Sequence, residues 1–156
     1  MAYSTGKQQF QKIALILSNG DYSRPDDQLQ NAGANAASFS NALKQIGFQV
    51  TTVCNKGKHD MNTAIIDFAN TIRDGDLVLF YFFGHCYRVK DKHYLIPASD
   101  NMIEEKTDVA DFSVDLERNL ERFVAKNASF VNIFILDSCG TYSLQRNATL
   151  GGKYHL

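Results

Sequence analysis

Apolar residues follow two rhythms along this chain. Short runs with little or no polar interruption occupy 12–17 (Lys-Ile-Ala-Leu-Ile-Leu), 77–83 (Leu-Val-Leu-Phe-Tyr-Phe-Phe) and 131–136 (Val-Asn-Ile-Phe-Ile-Leu). Runs of this length, rich in β-branched and aromatic residues, predict strands covered on both faces, as inside a parallel sheet. Residues 48–54 alternate more and predict another strand, and 94–96, closed by Pro97, a brief one. Between the strands the apolar spacing changes to three and four. Ala32, Ala36, Phe39, Leu43 and Ile46 make one such stripe, and Met61, Ile65, Phe68, Ala69 and Ile72 a second. Leu116, Leu120, Phe123 and Val124 make a third, and each stripe predicts a helix with one buried face. Gly47 and Arg73-Asp74-Gly75 end the first two. Ser113 offers an N-cap for the third, with Asp115 and Glu117 favouring its start and Arg122 and Lys126 its end. The 77–83 strand is expected to stop at Gly84, and residues 86–92 to form a short basic loop. Residues 21–28 read as a loop and 98–111 as an acidic, irregular connection.

Helices alternating with short buried strands predict an α/β domain. Its sheet is mostly parallel, with helices on both faces, because such crossovers are long and right-handed. The chain has 156 residues, enough for one domain; residues 1–11 read as a flexible N-terminal tail and 12–156 as the domain. A net charge of −1 gives no general attraction to nucleic acid or to an anionic membrane. Apolar runs of about seven residues fall far short of the roughly 20 that span a bilayer. Three cysteines without framework spacing, behind a polar start, favour a reducing, cytoplasmic setting.

Two runs end in residues that carry chemistry. His85 follows Gly84 at the end of one buried strand, and Cys139 follows Asp137-Ser138 at the end of another. The C-terminal rim of a parallel sheet is where open α/β folds place their sites. A cysteine becomes a nucleophile at neutral pH when a base promotes its thiolate, and histidine is suited to that and to protonating a leaving amine. Either residue alone is more often structural. Together, at a spacing of 54 (139 − 85), they fit a histidine lying about 50 residues upstream of a caspase-type nucleophile.

In these pieces the chain resembles the larger, p20-type half of the caspase-like cysteine peptidases, nearer the metacaspase and paracaspase branch than the animal caspases. The pieces are Ile13-Ala-Leu-Ile-Leu-Ser-Asn, Ala32-Gly-Ala-Asn-Ala-Ala-Ser-Phe, Leu43-Lys-Gln-Ile-Gly-Phe-Gln-Val, Asp76 through His85, Tyr94-Leu-Ile-Pro and Phe134-Ile-Leu-Asp-Ser-Cys. The resemblance implies a three-layer caspase-like sandwich, with His85 as base and Cys139 as nucleophile. The backbone N–H groups of Cys86 and Cys139 would form the oxyanion hole. Cys86 stands where the family usually has glycine, so its Cβ is expected to crowd the scissile carbonyl or to strain the backbone. Leu29 stands where animal caspases hold substrate aspartate with arginine. Asp137 matches one of two aspartates that hold a basic substrate side chain in the metacaspase-like branch, and Asn35 replaces the other.

The resemblance further implies a polypeptide substrate and no required cofactor. The acids Asp100, Glu104, Glu105, Asp108 and Asp111 resemble calcium-responsive loops of some metacaspases. His85, Cys86, His93 and Cys139 match no zinc spacing. Only 17 residues follow Cys139 (156 − 139), so the second, p10-type segment is expected to be missing, leaving an edge strand for such a segment or a second protomer. The activity expected is endopeptidase cleavage through a thioester. Its rival is a catalytically weak or inactive caspase-homology module that acts in binding or regulation.

Overall fold

β1 (Lys12–Ser18) is the strand on which the sheet is built, and its last six residues are buried. The computed structural model describes residues 10–125, 129–142 and 144, with the side chains of 139–141 outside that set. β2 (Phe48–Cys54) and β3 (Leu77–Val89) flank β1, both parallel to it, and β6 (Val131–Thr141) runs parallel to β3 on its far side. β4 (Lys92–Leu95) folds back antiparallel on the end of β3, and the two-residue β5 (Val114–Asp115) adds to β4.

Helices cover both faces, as the alternation of periods requires. α1 (Ala32–Gln45) sets Ala32, Ala36 and Leu43 on Ala14, Ile16, Leu79, Tyr81 and Phe83. On the opposite face, α2 (Lys58–Thr71) and α4 (Leu116–Ala125) bury Met61, Ile65, Phe68 and Phe123 on Leu15, Leu17, Phe80 and Phe82. The Phe123 ring lies 5.7 Å from Phe68, 5.7 Å from Phe80 and 5.8 Å from Phe134, pinning α4 to α2 and to the sheet. Close-packed aromatic contacts of this kind fix relative position as well as burying area.

The structure corrects several expectations. β3 does not stop at Gly84; it runs on to Val89 and turns through Lys90, whose φ of 55° starts a hairpin into β4. The stretch expected to be a basic loop is therefore mostly strand. The connection at 98–111 is not wholly irregular, because α3 (Asp108–Phe112) forms inside it. Ser113 is not the cap of α4: it is buried before β5, and the Asp115 carboxylate accepts the Arg118 N–H at 2.9 Å. Val124, expected inward, is 59% exposed because the helix face is set by Leu116 and Phe123.

β6 was expected to be covered on both faces and is not. Its Phe134 packs beneath Phe123, while Val131, Ile133 and Ile135 on the other face stay 36–37% exposed. β6 lies at the edge of the sheet, past the helix that covers Leu79 and Tyr81. Residues 1–9 of the expected tail lie outside the described residues. Gln11 is tied down, its N–H donating to the buried Asp76 carboxylate at 3.0 Å and its carbonyl accepting the Leu77 N–H at 2.8 Å.

Candidate active site

Gly84 decides how the end of β3 is shaped. Its φ is +153°, and a Cβ there would lie 2.7 Å from both the Phe82 ring and the Tyr22 hydroxyl. Only glycine lets the backbone come this close. Beyond it, β3 and β6 shift register: Gly84 pairs with Ser138 and Cys86 with Thr141. Two residues of β6, Cys139 and Gly140, thus stand opposite the single His85. Such a bulge re-aims the chain locally and recurs beside active sites.

His85 is buried and held on three sides. The Tyr22 hydroxyl accepts its backbone N–H at 2.8 Å, and the rings of Tyr22 and Tyr142 lie 4.6 and 5.6 Å from the imidazole. Nε2 is 2.8 Å from the main-chain carbonyl of Asp27. A carbonyl can only accept, so Nε2 carries the hydrogen and Nδ1 is the nitrogen left to exchange a proton in the neutral ring. The Asp27 carbonyl is presented by a single turn of 3-10 helix, Pro25–Asp27, and Arg24 locks that turn by pairing with the Asp27 carboxylate at 2.5 Å. Burial pushes the Tyr22 phenol far up, so it stays a neutral partner for His85.

A buried carboxylate supports this cluster from behind. Asp100 accepts the Ser23 N–H at 2.8 Å and the Tyr142 hydroxyl at 2.5 Å. Burial works to raise its pKa, but the bonds from Ser23 and Tyr142 outweigh it and hold the carboxyl below its ordinary value. A lowered folded-state pKa adds stability above the unfolded value of about 3.9, and that stability is lost as pH falls through the folded value. Asp100→Asn is therefore expected to cost about 1–3 kcal/mol at pH 7. Thermal melts should show the gap from wild type closing as the pH falls below the ordinary carboxylate range.

The other sequence candidates fall around this centre. The sulfur of Cys139 lies outside the described residues; its backbone stands in β6 across from His85. Cys86 packs with the core under α2 and α4, on the face opposite α1. Its φ is negative, since the non-glycine residues with positive φ among those described are Asn31, Asn55 and Lys90. The expected backbone strain is absent, and the Cys86 side chain is turned into the core. Burial pushes its thiol up to about 11 against a bond with Ser138, so it remains protonated at neutral pH. The Ile96 N–H donates to the His85 carbonyl at 2.9 Å, which makes Cys86 and Leu95 a pair that exchanges no ladder bonds. The Cys86 amide therefore turns from β4 toward β6.

Asp137 is exposed near the end of β6 and accepts the Tyr81 hydroxyl at 2.9 Å. Tyr81 stacks at 4.6 Å on Phe39 of α1, and Asn35 is exposed one turn earlier on that helix. Asp137 and Asn35 thus lie on the same face of the sheet, with Tyr81 and Phe39 between them. Two of the acids of 98–111 are engaged: Asp100 as above, and Asp108, which accepts the N–H groups of Glu104 and Glu105 at 3.0 and 2.8 Å. No group of three or more metal-ligating side chains occurs among the described residues. His93 pairs with Glu117 at 2.7 Å. Sequence reasoning missed Tyr22, Asp27 and Tyr142, and grouped Asp100 with the acids of a calcium-type loop rather than with His85. Asp27 acts through its carbonyl, which no residue type announces, and Arg24-Pro25-Asp26-Asp27 signals only a turn.

A parallel sheet between two helical layers, with a histidine and a cysteine on neighbouring strands at its C-terminal rim, is the architecture of a caspase-type α/β domain. Residues 11–153 match the sequence model of the Caspase domain family, and the chain belongs to that family. It is 22% identical over 128 residues to mucosa-associated lymphoid tissue lymphoma translocation protein 1 of Homo sapiens, and 21% identical over 128 residues to the homolog of Mus musculus. Each match covers 82% of this chain and 15% of the relative, so the chain spans a small part of the relatives it matches. The solved structure of pro-sf-caspase-1 superposes with a TM-score of 0.56 at 16% identity, covering 94% of this chain and 52% of that one. The fold is caspase-like. No helix among the described residues is long and apolar enough to cross a membrane.

Proposed function

We propose that the chain carries the nucleophile and base of a cysteine endopeptidase. The observation that supports this best is the bulge that sets Cys139 and Gly140 opposite a histidine whose Nε2 is already committed to the Asp27 carbonyl. The Cys139 thiolate adds to the substrate carbonyl, and the amides of Cys86 and Cys139 receive the negative oxygen. Protonated His85 gives its proton to the leaving amine as the C–N bond breaks, leaving a thioester. Water, deprotonated by His85, then releases the acid and regenerates the thiol. Asp137 and Asn35 favour a basic residue before the cleaved bond, through one carboxylate and one amide rather than two charges. The setting in this reading is cytoplasmic.

The test uses an arginyl chloromethyl ketone on the full chain at pH 7. Labelling is expected to fall on Cys139 and to vanish in Cys139→Ala, with Cys86 unlabelled because its thiol is half-buried against the core and protonated. Equal labelling of all three cysteines would remove the enzyme reading.

One observation favours a binding role beside it. The exposed apolar face of β6 at Val131, Ile133 and Ile135 suits a p10-type segment or a second protomer that continues the sheet.

A further inference from the structure

Away from His85, between α2, α4 and the α3–β5 junction, an open cleft of about 310 Å³ is lined by Lys58, Asn62, Ser113, Asp115, Arg118 and Arg122, with Asn119 at its base. Three cationic side chains face one carboxylate, and that carboxylate is already engaged: Asp115 pairs with Lys92 at 2.9 Å and caps α4 through the Arg118 N–H. Lys58 reaches across to the Ala110 and Asp111 carbonyls at 3.3 and 2.6 Å, which holds its charge at the rim.

Two polar groups in this lining lack hydrogen-bond partners among the described residues. The Ser113 hydroxyl belongs to a residue only 1% exposed and has no hydrogen-bond partner among the described residues. The Arg122 Nε is likewise buried without one, and Arg122 enters no ion pair among the described residues. A buried donor left unsatisfied is costly and calls for an explanation, of which a bound water or ion is one. Two guanidiniums one helical turn apart on α4, an ammonium and a serine hydroxyl are all donors suited to a tetrahedral oxyanion.

We propose that this cleft binds a phosphate group carried on a small molecule, with Arg118, Arg122 and Ser113 as the direct contacts and Lys58 supplying charge at the rim. Binding would join α2, α4 and the α3–β5 junction through one ligand. The site lies on the face of the sheet under α2 and α4 and uses neither His85 nor Cys139, so it stands or falls independently of the peptidase reading.

Inorganic phosphate and O-phosphoserine are titrated into the full chain by calorimetry at constant ionic strength, with chloride as control, and the site is read by ¹H–¹⁵N spectra. Saturable binding of one equivalent is expected, with shifts at the Ser113 amide and the Asn119 side-chain amide. Arg122→Gln should weaken binding about tenfold or more, and Ser113→Ala several-fold. Arg118 is exposed, so Arg118→Gln keeps the test valid should Arg122→Gln fail to fold; it too should weaken binding. O-Phosphoserine binding more tightly than inorganic phosphate would support a carried phosphate, and the reverse order would reduce the site to one for the free ion. Absence of saturable binding, shifts elsewhere in the domain, or unchanged affinity in Arg118→Gln would overturn the proposal and leave a water-filled cleft.

Discussion

His85→Gln is expected to slow alkylation of Cys139 by an arginyl chloromethyl ketone roughly 100-fold or more at pH 7. Glutamine is the informative replacement because its side-chain amide can still donate to the Asp27 carbonyl, while it has no nitrogen able to take a proton. The turn at Pro25–Asp27 and the packing of Tyr22 and Tyr142 should therefore survive, and unchanged melting would establish that they do. His85→Ala would open space between two aromatic rings and confound chemistry with collapse of the cluster. Alkylation of Cys139 at the wild-type rate in His85→Gln would mean that the imidazole takes no part in activating the thiol.

Gly84→Ala should be strongly damaging for so small a substitution. The new methyl group would start 2.7 Å from the Phe82 ring and 2.7 Å from the Tyr22 hydroxyl, on a backbone already at φ +153°. Neither neighbour is free to give way, since Phe82 is fully buried and the Tyr22 hydroxyl holds the His85 N–H. Overpacking and backbone strain together suggest a loss of about 2–4 kcal/mol, a fall in Tm on the order of 5–15 °C. Gly33→Ala is the matched control: it lies in α1 with nothing within 4 Å of the added carbon, so it should stabilise by up to about 1 kcal/mol. A Gly84→Ala protein that melts with wild type would show that the strand end can relax.

How far the sequence alone reaches can be followed residue by residue. The three short apolar runs became β1, β3 and β6, and the three-and-four stripes became α1, α2 and α4, because burial of one face dominates both patterns. Family kinship was legible from the same pieces plus His85 and Cys139 at their spacing. The continuation of β3 past Gly84 was not, because a glycine after an apolar run reads as a stop; here it is the point where the strand passes under Tyr22. Nor was the exposure of Val131, Ile133 and Ile135, whose apolar character looks the same on a covered strand and on an edge. The cap of α4 was expected at Ser113 and lies at Asp115, because β5, a two-residue pairing too short to leave a pattern, intervenes. Tyr22, Asp100 and Tyr142 meet only through the tertiary fold, across separations that no local rule spans.

The orientation of His85 rests on a peptide oxygen rather than on a side chain. Exchange of the residue at that point leaves the oxygen in place, so a substitution map of the Pro25–Gln28 turn should register changes of shape, including loss of the Arg24–Asp27 pair that holds it, rather than any side chain's direct chemistry toward the imidazole. Distantly related chains could keep the same imidazole alignment while sharing no letters there.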